Sequence, residues 1–198
     1  IMIDNNVQFI SKTIDNFRNF IDNDNNKKVF DLENAIEDFL NLVSALITND
    51  HINIILNLEK DIKINGYENE LIQCFINIFN NARTALNERK IEEKLIFITT
   101  SIEDNKVIII IKDNAQGISE EIMNKLFEPY ITTKHQSQGI GLDLYITYNL
   151  IVDKMKGAID IINTVFTYNN KKYNEIENTI TIPIKTQTIQ KNKTNTNT

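Results

Sequence analysis

Between positions 71 and 142 the chain carries three groups of residues whose types and spacing could do chemistry. Gln73, Asn77 and Asn81 fall four apart, so on a helix they share a face. Beside the apolar set Leu71, Phe75, Ile78, Ala82 and Ala85 they make a polar stripe, which by itself reads as a solvated face. Carboxamides are also neutral oxygen donors, suited to a partly hydrated magnesium ion held mainly by phosphates, and Asn81 could complete such a shell without repelling them. A second group, Asp113-Asn114-Ala115-Gln116-Gly117-Ile118, follows a strand-like run. A carboxylate directly after a buried strand could accept from the exocyclic amine of adenine, with Gly117 letting the backbone approach the base, although alone this is an ordinary Asp-Asn turn. The third runs from Phe127-Glu128-Pro129-Tyr130 through Lys134 and His135 to Gly139-Ile140-Gly141-Leu142. Glycines just before a helix start, with a cation upstream, describe a lid whose amides could hold phosphates.

Helical spacing predicts helices over 32–47, 68–87 and 142–155, and a short one over 119–126 that Ser119 can cap. Ile-rich, partly alternating runs predict strands over 51–58, 61–64, 94–102, 106–112, 157–166 and 175–184, the last two joined by a turn at 169–172. Residues 23–28 read as a turn. Helices and strands alternate without the regular beat of a doubly wound sheet, so the layering expected is helices on one face of a mixed sheet, an α+β fold. At the N-terminus, Ile3, Val7, Ile10, Ile14, Phe17 and Ile21 step by fours and threes, the spacing of a helix seam. Such a helix is marginal alone and needs a partner helix, from a second copy or from chain not present here.

Acidic residues outnumber basic ones, 27 to 21, and no lysine run exceeds two, which argues against nucleic acid as a partner. No stretch approaches the roughly 18 apolar residues of a membrane span, so no membrane contact is expected of this segment. Cys74, the single cysteine, permits no intrachain disulfide and fits a reducing, cytoplasmic setting. The chain opens on Ile1 and reads as part of a longer polypeptide, whose upstream part has room for a membrane anchor, while 186–198 reads as a disordered tail.

Taken singly these motifs are common, but their order and spacing resemble the ATP-binding domain of sensor histidine kinases, in the wider superfamily of gyrase, Hsp90 and MutL. Residues 77–82 match the asparagine box, 113–117 the first glycine box, Phe127 the phenylalanine box, and Gly139, Gly141 and Leu142 the second glycine box. The resemblance covers about 32–184. It implies the Bergerat-type two-layer α/β sandwich, ATP and magnesium as cofactors, and a nucleotide site of Asn77, Asn81, Asp113, Gly117, Phe127, Lys134, Gly139, Gly141, Leu142 and Thr179, with Asn81 on the metal. Thr179 matches a family position near the adenine. By the same resemblance, 1–24 is the second helix of the dimerisation and phosphotransfer hairpin, 25–185 the catalytic domain, and the partners are a second copy and the receiver domain of a response regulator.

The hairpin's first helix, which in these kinases carries the phosphoacceptor histidine, has no counterpart in the chain. His51 falls in an expected strand and His135 in the lid, so the implied reaction is transfer of the ATP γ-phosphoryl group to a histidine outside it. Two departures stand out. Asp143 takes the place of the lid's third glycine, where it could cap the helix and repel the triphosphate; a shifted alignment instead sets Ser137 and Gln138 against Gly and Thr and leaves Asp143 harmlessly on the helix. Ala115 replaces a middle glycine, which fits if its φ is negative. Besides the kinase, two readings remain: a degenerate module for dimerisation or response-regulator docking, and a serine-directed kinase of the anti-sigma type.

Overall fold

The computed structural model describes residues 27–131 and 141–184. In chain order its elements are β1 (Lys28–Asp31), α1 (Leu32–Asn49), β2 (Ile52–Leu58), β3 (Lys63–Gly66), α2 (Glu68–Glu88), β4 (Lys94–Glu103), β5 (Lys106–Asp113), α3 (Glu120–Met123), α4 (Asp143–Tyr148), a π-helical continuation (Asn149–Lys154), β6 (Ala158–Tyr168) and β7 (Lys171–Pro183). The main sheet runs β2-β4-β5-β7-β6, with β2 and β4 parallel and the other neighbours antiparallel. Parallel strands need a crossover, and β3 with α2 supplies it. A separate antiparallel ribbon pairs β1 with β3.

Period-two alternation decides which side of the sheet meets the helices. Val107, Ile109 and Ile111 of β5 are buried on one face with Ile96, Ile98, Ile180 and Ile182 of its neighbours, while Ile108, Ile110 and Lys112 point the other way. Against that face lie α1 and α2. Phe39 of α1 meets Phe75 and Phe79 of α2 edge to face, with centroids 5.7 and 5.9 Å apart. Asp31 fixes the start of α1 by accepting from the amides of Glu33 and Asn34 at 3.0 and 3.4 Å. Cys74 is fully buried in this layer, and burial pushes its thiol pKa up, so it behaves as an apolar core group. The mixed sheet with helices on one face is the α+β sandwich expected.

The hairpin β6–β7 is longer than its apolar pattern predicts. Asn169 and Asn170 both take positive φ, 48° and 61°, the two-residue turn that matches strand twist, so pairing continues to Tyr168 and Lys171. Its end reaches back over the outer face, where Phe97 packs on Phe166 and Tyr168 at 4.9 and 5.1 Å. On that face Lys112 bonds Glu177 at 2.6 Å and Glu175 at 3.3 Å. Other departures are small. β1 starts on the last residue of the expected turn and is too short to show a period, and α3 is a single turn in which Ser119 makes no side-chain cap bond. Residues 1–24, read as the dimerisation helix, and 186–198, read as the tail, lie outside the described residues, among which no helix is long and apolar enough to cross a membrane.

Replacing Phe75, 1% exposed between α1 and the sheet, should remove the contact that joins the layers. Phe75→Ala is expected to cost about 3–5 kcal/mol in chemical denaturation; a loss below about 1 kcal/mol would show that this pair does not hold the helix layer.

Candidate functional site

The polar stripe of α2 does two jobs. Gln73 Nε2 donates to Asn77 Oδ1 at 2.9 Å, and Asn77 Nδ2 donates in turn to the Asp143 carbonyl at 3.2 Å and to Thr147 Oγ1 at 3.1 Å. The Thr147 hydroxyl closes the set by donating to the Asp143 carbonyl at 2.8 Å. Asn77 is therefore a buried strut that fixes the first turn of α4 against α2. One turn further along, Asn81 faces a cavity of about 430 Å³, a size ordinary for a small-molecule site.

Four parts of the fold line this cavity. Along α2 it is lined by Ile78, Asn81, Ala82, Ala85, Glu88 and Arg89; from the sheet come Asp113, Ile161, Ile176 and Asn178. The segment after β5 contributes Ala115, Gly117, Ile118, Ser119, Ile122, Leu126 and Ile131, and the start of α4 adds Gly141, Asp143 and Leu144. Mostly apolar walls with a few convergent polar groups suit a flat, partly polar ligand. Asp113 reaches the cavity because it keeps the inward parity of Val107, Ile109 and Ile111. It is 4% exposed, and burial pushes its carboxyl up to about 6, against a bond from the Ala115 amide at 3.0 Å and the nearby Arg89 charge, which lower it, while Glu175 raises it slightly. Glu175 is itself fully buried with its Oε2 unpartnered among the described residues, and burial raises its pKa too.

The turn after β5 is pinned from two sides. Asn114 accepts from the Leu95 amide at 2.9 Å and donates to the Glu93 carbonyl at 2.7 Å, tying the strand end to β4. Asn163 of β6 accepts from the Ile118 amide at 2.8 Å and donates to its carbonyl at 2.7 Å. Between these clamps Gln116 and Gly117 have φ of 69° and 82°, and a Cβ on Gly117 would lie 2.7 Å from Asn163 Oδ1. Ala115 is not among the positive-φ residues, so it tolerates its side chain there. Gly141 is more constrained still: φ is 72°, and a Cβ would fall 2.3 Å from the Ile131 carbonyl oxygen. The Tyr130 amide donates to the Gly141 carbonyl at 3.0 Å, holding the two strands of chain together where they meet the cavity.

Asn81, Asp113, Gly117 and Gly141 thus line one cavity, as the sequence places them. Asn77 supports it from behind, and Leu142, the residue preceding α4, is not among the lining residues. Phe127 packs on Tyr148 at 5.1 Å, and its neighbour Leu126 lines the wall. Asp143 is the first residue of α4 and makes no cap bond; it borders the cavity instead. Thr179 does not join the others. It has the outward parity of β7 and its hydroxyl donates to Glu177 at 3.3 Å, so the strand's polar cavity residue is Asn178, buried and bonded to the Ile111 carbonyl at 3.1 Å. One residue along a strand is a change of face, and the inward alternation of Ile176, Ile180 and Ile182 carries the signal for Asn178. Asn163 and Asn114 also escape sequence reasoning, since their roles depend on contacts distant in the chain, and Arg89, which lines the cavity at the end of α2, belongs to no motif. Lys134, His135 and Gly139 lie outside the described residues.

A buried ionised Asp113 costs stability for which the fold shows little return. Because its folded pKa is raised, its contribution to stability falls as pH rises from about 4 through about 6. Asp113→Asn keeps the acceptor for the Ala115 amide and should raise the melting temperature of the ligand-free protein at pH 7.5, by up to about 3 kcal/mol in stability, with no gain near pH 3.5. An equal or lower melting temperature at pH 7.5 would contradict this placement of the carboxylate.

Residues 66–187 match the family described as histidine kinase-, DNA gyrase B- and HSP90-like ATPases. Sporulation kinase A of Bacillus subtilis (strain 168) is 36% identical over 140 residues, which are 65% of this chain and 22% of that protein. The C4-dicarboxylate transport sensor protein DctB of Pseudomonas aeruginosa is 30% identical over 121 residues, 61% of this chain and 20% of the relative. The chain thus spans about a fifth of the length of these curated relatives. Among solved structures, the nucleotide-free catalytic domain of histidine kinase ThkA superimposes with a TM-score of 0.64 at 26% identity, covering 80% of this chain and 95% of that one. The same kinase in complex with the response regulator TrrA gives 0.68 at 21% identity over 93% of this chain and 50% of that one, a likeness of fold. On the family match over more than half of its length, the chain belongs to the histidine kinase-, DNA gyrase B- and HSP90-like ATPase family, as an ATP-binding domain of the sensor histidine kinase type.

Proposed function

We propose that residues 25–185 form the catalytic domain of a protein histidine kinase, which binds magnesium-ATP in the cavity and presents its γ-phosphoryl group to a histidine outside this chain. The observation that carries this is the pairing of Asp113 and Asn81 along one cavity: a buried acceptor from the sheet and a carboxamide about two turns of α2 short of its C-terminus. Asp113 holds the adenine amine, and the apolar walls hold the ring. Asn81 supplies a neutral oxygen to magnesium, a fitting share where phosphates and water supply the rest. Among the described residues no group of three or more His, Cys, Asp and Glu is placed to hold a metal, so a site built around the nucleotide's own oxygens is the one these residues suit. Bound magnesium-ATP supplies the phosphoryl group and the cation that offsets charge in transfer; the chain's contribution is positioning. Asn77 matters through α4, whose start it fixes. Lys134, Gly139 and Leu142 belong to the lid of this reading.

The homodimer through 1–24, the receiver domain of a response regulator as partner and a cytoplasmic location are parts of the same proposal, supported by the seam spacing and by the kinase–regulator complex among the structural relatives. A second reading, a module that has lost catalysis, draws on Asp143, an acidic residue that borders the cavity at the start of α4.

Calorimetry separates these. ATP binding is expected to depend on magnesium in the wild type, to lose that dependence in Asn81→Ala and to disappear in Asp113→Ala. Mixing the chain with a separate phosphoacceptor hairpin and labelled ATP should yield phosphohistidine. Binding that survives both substitutions would reject the site, and binding with no transfer to any hairpin would favour the second reading.

A further inference from the structure

We propose that Arg89 is a base-stacking residue of the nucleotide site, its guanidinium lying over the purine ring that Asp113 holds by its edge; this rests on the nucleotide reading above. Ile78, Ala82, Ala85 and Arg89 fall at i, i+4, i+7 and i+11 on α2, within one narrow face, and all four line the cavity. Two alanines in the middle of that face leave a flat shelf rather than a side chain that fills the space. Arg89 stands one turn beyond Ala85, at the C-terminal end of α2, and makes no side-chain hydrogen bond or ion pair with any described residue. An exposed arginine at a helix C-terminus gains from the helix dipole. That gain requires only that the cation be near the last turn and says nothing about why this residue borders the cavity.

Position selects the base as its target. Asn81, at the metal end, lies eight residues earlier on the helix, about 12 Å away by helical rise, whereas Asp113 is near enough to feel the Arg89 charge. A guanidinium is planar, weakly hydrated and suited to lie on an aromatic face, and a purine hydrogen-bonded in its own plane to Asp113 leaves its faces for the α2 shelf and for such a group. The same charge beside Asp113 favours the ionised carboxylate that the adenine amine needs.

Titrations of the full chain with adenosine and with magnesium-ATP test this. Arg89→Ala should weaken both ligands by the same factor, roughly three- to tenfold. Arg89→Tyr, which keeps a flat face without the charge, should recover most of the loss, and Arg89→Lys should not. Unchanged adenosine affinity in Arg89→Ala would overturn the role, as would a loss confined to ATP, the mark of a phosphate contact. Wild-type chain that binds neither ligand would overturn the nucleotide site itself, an outcome distinct from binding that ignores Arg89.

Discussion

Burying the Asp113 carboxylate at the end of β5 puts a charge where the fold gives it one hydrogen bond, from the Ala115 amide, and no ion pair among the described residues. Its carboxyl is pushed up to about 6, so at neutral pH it is ionised against the preference of its surroundings. Nearby structure is arranged around that position. Asn114 ties the strand end to β4, Asn163 grips the chain at Ile118, and Gly117 takes the φ that lets the turn pass beside Asn163. A residue held in this way at a cost in stability makes sense as a ligand contact, with a donor from the ligand completing its bonding.

Helix α2 links the core to that contact. Its apolar face, through Phe75 and Phe79, carries the layer of aromatic packing, and its polar stripe divides between a strut and a site. Because Asn77 bonds both the Asp143 carbonyl and Thr147, the start of α4 is tied directly to α2. The cavity is thus bounded by one rigid sheet edge and by a helix pair locked together. Gly141 sets the distance between the chain at Ile131 and that helix pair; any side chain there would meet the Ile131 carbonyl.

Periodicity made the large elements legible: α1, α2 and the strands β2, β4 and β5 lie within a few residues of where apolar spacing puts them. What periodicity could not show was structure made by distant contacts. β1 exists because it pairs with β3, and the far part of the β6–β7 hairpin exists because two consecutive asparagines turn it. At the site, Asp113, Gly117, Asn81 and Gly141 were readable because each sits in a motif of fixed local spacing. The misplacement of Thr179 came from reading a strand position without its parity; Asn178, one residue earlier, faces the cavity. Asn163, sixteen residues from any motif on its C-terminal side and forty-five from its partner Ile118, had no local signal at all.

Family membership accounts for the architecture, and the buried acceptor accounts for which base it would hold. The most direct test is the affinity of the wild-type chain for ATP against inosine triphosphate, which differs from ATP in carrying a carbonyl oxygen in place of the adenine amine. Asp113 can accept from the amine but faces the carbonyl as one acceptor to another, so measurable ATP binding with inosine triphosphate weaker by roughly a hundredfold or more is predicted. Equal affinity for the two would contradict the assignment of Asp113 as the residue that reads the base.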